Sequence, residues 1–491
     1  MKKVARSVVI AAVSTVTLWL LLEPSAWAVP SYSRRYGVNC STCHTVWGAL
    51  NGAGVTFRLS GYRAINGREL KPISEDIDLG DGALTIPTTL PFSFVTGVGY
   101  DTRTEKREAS NGTSNTQKSS SLALEDASIF LTSSFGKHLS AFVEFPMYET
   151  KAWEFTPTGP AEANANSGSR NFQFVAENPT FEVAKFWWNN LLPDDIAPPG
   201  SVNLLGGITH LPLAYPSGKV RLSVNQFLIY ERRALDLISR NPMSTLAGTG
   251  DEFLFRLGEP QIIAEVNGIL TFGKPITDTG KRETLWSEYH VGVSNGSNGK
   301  PDNNSKKDLY GRYVMRWFNQ SLGLFAYHSQ DTYDDGFRTG NSIAVGGLGI
   351  MSGNQKQNAM NRVGIDTTLS LAPMGIPVSL DNQFMSNRES SPTGFDQEFK
   401  WKGGFHQLNW LMSRESVIYA RYDWIHGDSF DDGTTFAHPS ESAVVAGYQH
   451  LIQQNVKFIG EFRKHTFEDK STTPTGRLTD NGFTARVMIG F

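Results

Sequence analysis

The chain of 491 residues has two cysteines, and both stand in one pentapeptide, Cys40-Ser41-Thr42-Cys43-His44. Two thiols three positions apart, followed at once by an imidazole, are what covalent attachment of a c-type haem requires. Each thiol adds to one vinyl group of the porphyrin, and the adjoining imidazole lies under the iron as its proximal ligand. A C-x-x-C redox pair should sit in a βαβ pattern, which the surrounding sequence lacks. A zinc site would want two more ligands nearby. The pentapeptide is read as the site of one haem c, with Cys40 and Cys43 as thioether donors and His44 as axial ligand.

A sixth iron ligand of the usual kind does not come from the same stretch. Between Val29 and Lys137, His44 is the only histidine, and after Met1 no methionine precedes Met147. Three readings stay open. The rest of the chain supplies the ligand, with Met147, His290 or His465 as candidates; a weaker ligand serves; or the iron is five-coordinate. If the wall of the molecule donates, the haem must lie inside it.

The elements that would hold this group differ along the chain. Lys2, Lys3 and Arg6, then the apolar run Val8 to Leu22, then Ala26-Trp27-Ala28 form the charged start, apolar centre and small-x-small end of a secretory signal. The apolar run, broken by Ser14, Thr15 and Thr17, is short for a helical span. Cleavage after Ala28 is expected, and export agrees with c-type haem, whose attachment is completed outside the cytoplasm. Residues 29–88 then make a small haem segment, too short for a large core of its own. Tyr32, Tyr36, Val46, Trp47, Leu50, Val55, Phe57, Leu59 and Tyr62 are candidates to cover the haem. One or two short helices are expected over Val46 to Tyr62, broken at Gly52, Gly54 and Gly61.

Residues 89–491 read as strands. Helical periodicity gives way to alternation: Phe483, Ala485, Val487, Ile489 and the final Phe491 share one face, and Thr484, Arg486, Met488 and Gly490 the other. Val456, Phe458, Gly460 and Phe462 likewise oppose Lys457, Glu461, Arg463 and His465. Leu285, Tyr289, Val291 and Val293 oppose Glu288 and His290. Very short connections (136–137, 319–320, 372–375, 413–414, 453–454) alternate with long polar ones near 101–120, 151–176, 295–308, 331–357, 389–397, 428–440 and 468–480. That asymmetry, with one apolar and one charged face, favours a transmembrane antiparallel β-barrel over a soluble sandwich. Trp187, Trp188, Trp401, Trp410 and Trp424 near strand ends suit interfacial girdles. In hydrocarbon every backbone group needs an internal partner, so without helices only a closed barrel spans. About 16 strands are expected, or 18 if segments around 222–231 and 251–257 join the wall instead of folding in. A net charge of −3 and a pI of about 6.4 speak against nucleic acid as a partner.

The run Val29-Pro-Ser-Tyr-Ser-Arg-Arg-Tyr-Gly-Val-Asn-Cys-Ser-Thr-Cys-His44, with Leu50-Asn51, Gly54, Phe57 and Gly61-Tyr62-Arg63, resembles the fused outer-membrane cytochrome–porins. The best-known members of that family are the Fe(II) oxidases of iron-oxidising bacteria. The resemblance is specific for the haem segment and covers the barrel only in pattern. It implies an oxidoreductase with Cys40 and Cys43 binding one covalent haem c and His44 as its axial ligand. It further implies electrons taken from extracellular Fe(II) and passed to a periplasmic c-type cytochrome. The sequence shows no ferrous-iron motif; Asp331, Asp334 and Asp335 are an acidic loop first and a cation site only second. Two other readings stand beside this one: a haem-plugged porin for solute passage or sensing, and electron uptake from a donor other than Fe(II).

Overall fold

The computed structural model describes residues 30–46, 49–65, 68–80, 84–108, 114–136, 138–149, 182–193, 195–198, 200–217, 221–238, 255–272, 285–298, 305–317, 319–333, 344–345, 348–349, 356–392, 397–431, 436–453, 455–471 and 476–491. The expected signal segment 1–28, Trp47, Asp334, Asp335 and the loop 151–176 lie outside them.

Sixteen strands form one closed barrel in which each pairs with its neighbour in sequence. In chain order they are β1 Phe92–Glu108, β2 Ser114–Phe135, β3 Leu139–Glu149, β4 Val183–Trp188, β5 Asn203–Thr209 and β6 Gln261–Phe272. Then come β7 Leu285–Ser294, β8 Asp308–Trp317, β9 Gln320–Tyr333, β10 Lys356–Ser370 and β11 Val378–Glu389. The last are β12 Phe399–Leu411, β13 Ser416–Gly427, β14 Pro439–Gln453, β15 Val456–Asp469 and β16 Gly476–Gly490. β16 closes on β1 in antiparallel register, Val487 opposite Val98. The final residue completes the seam: the Phe491 N–H donates to Phe94 O (2.9 Å), the Phe94 N–H to Phe491 O (2.7 Å), and their rings meet at 5.3 Å.

The two faces of the wall are inverted relative to a soluble protein. Glu265, Asn267, Asp366, Gln383, Asp423 and Glu461 are buried inside, while Val291, Leu324 and Val363 outside are 53–63% exposed. An apolar exterior around a charged lumen is the pattern of a barrel wall that faces lipid.

Several expectations need correction. The expected count of 16 strands is found, and the alternative of 18 falls away because residues 221–238 fold into the lumen, with two short helices, α4 Leu228–Glu231 and α5 Ala234–Ile238. The apolar run Phe227 to Tyr230 could not be told from a strand by periodicity. No long loop spans 101–120: β1 runs to Glu108 and β2 resumes at Ser114. Only two of the five tryptophans suit a girdle plainly, Trp188 and Trp410 at 50% and 48% exposure; Trp187 and Trp401 are buried. In the haem segment, Gly54 does not break a helix but lies inside one, Gly52–Leu59.

The lumen is filled from both ends. The haem segment enters at the end with the short turns, and the β5–β6 connection enters from the other. Buried residues of both, from Tyr32 and Tyr62 to Leu228 and Leu257, belong to one apolar cluster. The β5–β6 connection crosses the barrel to β12 and β13. There Phe227 stacks on Phe405 at 3.9 Å, and the Arg421 guanidinium covers its other neighbourhood at 4.5 Å. Glu461 accepts the N–H groups of Val224 (2.9 Å) and Asn225 (3.1 Å), and Arg421 donates to the carbonyls of Asn225 and Gln226 (both 3.0 Å). Arg232 is held bidentate by Glu441. The result is a dry layer at mid-barrel: Leu211, Leu228, Ile229, Tyr230, Leu237 and Leu257 have no exposed surface.

Candidate functional site

The pentapeptide forms a single helical turn, α2 Cys40–Cys43, in the haem segment, between α1 Pro30–Tyr36 and α3 Gly52–Leu59. His44 leaves this turn in extended backbone, its N–H donating to Cys40 O. One turn of helix sets both cysteine side chains near one side with the imidazole beside them, as two thioethers and an axial bond to one ring demand.

Asn51 clamps the turn. Its Oδ1 accepts from Gly54 N–H (3.0 Å) and caps α3, while its Nδ2 donates to Ser41 O (3.2 Å) and Thr42 O (3.1 Å). Its own N–H donates to Cys43 O (2.9 Å). Gly54 lets α3 approach: a Cβ there would lie 2.9 Å from the Cys43 carbonyl carbon and 3.0 Å from Leu50 Cδ2. α3 ends where Gly61 and Tyr62 turn left-handed (φ 61° and 62°). A Cβ on Gly61 would meet the Asn189 side chain, its Cγ at 2.8 Å.

The same residues fasten the segment to the wall. Tyr62 stacks on Tyr32 (4.6 Å) and meets Trp187 edge-on (5.2 Å), with Phe57 edge-on to Tyr32 (5.2 Å). Tyr36 OH donates to Tyr62 O (3.0 Å) and meets Ser134 Oγ (3.1 Å). Asn203 Nδ2 donates to Leu59 O (3.2 Å), Arg63 to Gly136 O, and Ser31 bonds Thr132. These contacts give Tyr32, Tyr36, Phe57, Leu59 and Tyr62 roles in docking the segment to the wall.

The donor set fits a c-type haem. Cys40 and Cys43 are half-buried and not joined in a disulfide. Burial, and then the neighbouring Cys40, push the Cys43 thiol up to about 11. The His44 Nδ1 is buried without a hydrogen-bond partner. Burial and then the charge of Lys457 hold the imidazole down to about 4, so it is neutral at pH 7, the form that ligates iron.

The candidate sixth ligands stand apart in character. His290 is buried on β7, its Nδ1 2.8 Å from Glu265 Oε1, which fixes the ring and leaves Nε2 for a ligand. α3 lies along β6, the strand next to it. His465 on β15 is occupied at Nε2 by Glu441 (2.5 Å). Met147 is 59% exposed, out of step with Phe142 and Glu144, which face inward. Of the three, His290 has the environment of a metal ligand. Among the described residues no group of three or more His, Cys, Asp or Glu is placed to hold a separate metal ion.

Sequence reasoning missed Asn51 as a clamp, it placed Lys457 on a polar strand face without linking it to His44, and it missed Asn189 and Asn203 altogether. The capping pattern of Asn51 before Gly52–Leu59 was a legible signal for the first; the wall residues carried none.

No family model and no curated protein matches the chain. Among solved structures, similar ones include a loop-deletion mutant of OmpT, an outer membrane protein of Vibrio cholerae. It has 8% identity and a TM-score of 0.45, over 81% of this chain and 99% of that one. The outer membrane channel DcaP of Acinetobacter baumannii shows 9% identity over 82% and 97%, with a TM-score of 0.44. An anion-selective porin from Comamonas acidovorans shows 10% identity over 81% and 100%, with a TM-score of 0.43.

Proposed function

We propose that this chain is an outer-membrane electron conduit of the fused cytochrome–porin kind. It takes single electrons from extracellular Fe(II) and delivers them to a periplasmic c-type cytochrome. The observation that carries the reading is the Cys40–His44 turn, clamped by Asn51 and docked inside a closed barrel with an apolar exterior. Such an exterior suits an outer membrane, with the short turns on the periplasmic side. The haem segment then occupies the periplasmic mouth.

A c-type haem bound there supplies a one-electron couple. Cys40 and Cys43 would hold it and His44 would ligate its iron. Tyr32, Phe57 and Tyr62 keep water from that part of the lumen, and the positive charge of Lys457, which acts on His44, would disfavour added positive charge on a bound group. Two features weigh against free solute passage: the docked haem segment and the dry mid-barrel layer formed by the β5–β6 connection. Donor and acceptor both follow from the sequence resemblance, and a haem segment at the short-turn end supports a periplasmic acceptor.

The test is to add Fe(II) anaerobically to the oxidised, detergent-purified protein and follow the haem bands. Reduction with saturable kinetics supports the reading; bands that answer to dithionite but not to Fe(II) remove Fe(II) as donor.

A further inference from the structure

One exposed element is explained neither by the barrel nor by the haem turn. Residues 73–80 and 84–88 run side by side at the short-turn end, with Ile77 opposite Ile86 and Asp78 opposite Thr85. Its inner side is tied down. Ile73 N–H donates to Arg35 O (2.8 Å), Asp76 takes the Arg35 guanidinium at 2.6 and 3.0 Å, and Gly136 N–H donates to Thr85 Oγ1 (2.8 Å). It lies against the haem-bearing chain: a Cβ on Gly37, three residues before Cys40, would meet Ile73 Cγ2 at 2.9 Å.

Its outer side is apolar and open. Ile73 is 67% exposed, Ile77 and Leu79 54% each, and Ile86 46%. An apolar stripe of this kind on a water-facing surface marks a place where something docks. Glu75 and Asp78 stand exposed beside it, and Lys71 is exposed at its edge. Carboxylates interleaved with the apolar residues make hydrocarbon a costly neighbour. An apolar centre with an acidic rim is instead complementary to a protein that presents an apolar patch ringed by lysines.

We propose that the paired segments 73–80 and 84–88 are the docking surface for a basic periplasmic electron carrier, a small protein whose redox group reaches the surface within a lysine-ringed apolar patch. The proposal rests on the electron-conduit reading and adds to it where the electron leaves. The apolar stripe brings the partner to the side of the chain that carries Gly37 and Cys40. Glu75 and Asp78 steer its approach, so exchange is fast and salt-sensitive.

The experiment uses the full holoprotein in detergent, reduced with dithionite and mixed with an oxidised, lysine-rich monohaem cytochrome c as probe. The wild type is expected to react faster with this probe than with an acidic cytochrome, and the advantage shrinks as salt is raised. Glu75→Lys with Asp78→Lys should slow the reaction about tenfold or more at low salt. Haem bands and oxidation by benzoquinone, a small neutral oxidant, stay unchanged. Ile77→Ser with Ile86→Ser should slow it as well, at all salt concentrations. Equal rates for basic and acidic probes, or a charge-reversed protein as fast as wild type, overturn the proposal. So does an isoleucine variant that loses only its partition into liposomes, since the stripe would then be a lipid contact. Because dithionite supplies the electrons, failure with Fe(II) leaves this result standing.

Discussion

Replacing Gly54 by alanine tests how the haem turn is built, because two effects of opposite sign compete there. Inside a helix, Gly→Ala stabilises by about 0.5–1 kcal/mol through the unfolded chain. At this position the new Cβ lies 2.9 Å from the Cys43 carbonyl carbon and 3.0 Å from Leu50 Cδ2. Carbon atoms settle at about 3.5–4.0 Å. The Cys43 carbonyl oxygen would be closer still, so α3 and the Cys40–Cys43 turn must part by well over about half an ångström. That stretches the 2.9 Å bond from Asn51 N–H to Cys43 O and the 3.1 and 3.2 Å bonds from Asn51 Nδ2 toward the limit of hydrogen bonding. Overpacking of this kind costs about 1–3 kcal/mol, so Gly54→Ala is expected to destabilise the haem segment. The assay is denaturant unfolding followed at the haem Soret band, with haem content per protein measured on the same sample. A variant stabilised by up to about 1 kcal/mol, with unaltered haem content and spectrum, would refute the packing argument.

Other outcomes follow from the wall and the inserted loop. Val363, 61% exposed on the outer face of β10, should cost about 2–4 kcal/mol when changed to arginine, read by unfolding in lipid; a neutral effect means that face does not meet hydrocarbon. Glu461→Ala should speed hydrogen exchange at the Val224 and Asn225 amides at least tenfold, since hydrogen bonds to a charged group contribute about 1.5–3 kcal/mol. Unchanged exchange would mean that Glu461 does not hold the loop. Burial pushes the Asp236 carboxyl up, but Arg233, at 2.5 and 3.0 Å, outweighs it and holds the pKa below the usual aspartate value. Its contribution to loop stability is thus complete above about pH 3.9 and is lost as pH falls through the depressed value. Pepsin should leave residues 228–238 uncut at pH 4 and cut them in stronger acid, with Asp236→Asn cut at both; cleavage of the wild type at pH 4 contradicts this.

The barrel was legible because its period is two and its charges alternate with apolar residues over long stretches; Phe483, Val487 and Phe491 mark the exposed face of β16 as the pattern requires. The inserted loop was not legible. Its run Phe227 to Tyr230 is apolar at consecutive positions, and only tertiary partners such as Glu461 and Phe405 decide that it folds inward. The extent of β1 and β2 was hidden by polar residues from 101 to 120, which a strand beyond the lipid band tolerates on both faces. At the Cys40–His44 turn the sequence named three candidate haem-binding groups, since the chemistry of attachment fixes their spacing. The supports escaped because Asn51 acts through geometry, and Asn189 and Asn203 come from strands far away in sequence.

The central claim is that one haem is covalently attached at Cys40 and Cys43 in the processed chain. The intact mass of the denatured protein, extracted from outer membranes, tests it directly. The account expects the mass of residues 29–491 plus one haem, reduced to the bare polypeptide in Cys40→Ala with Cys43→Ala. A wild-type mass equal to the unmodified polypeptide would contradict it.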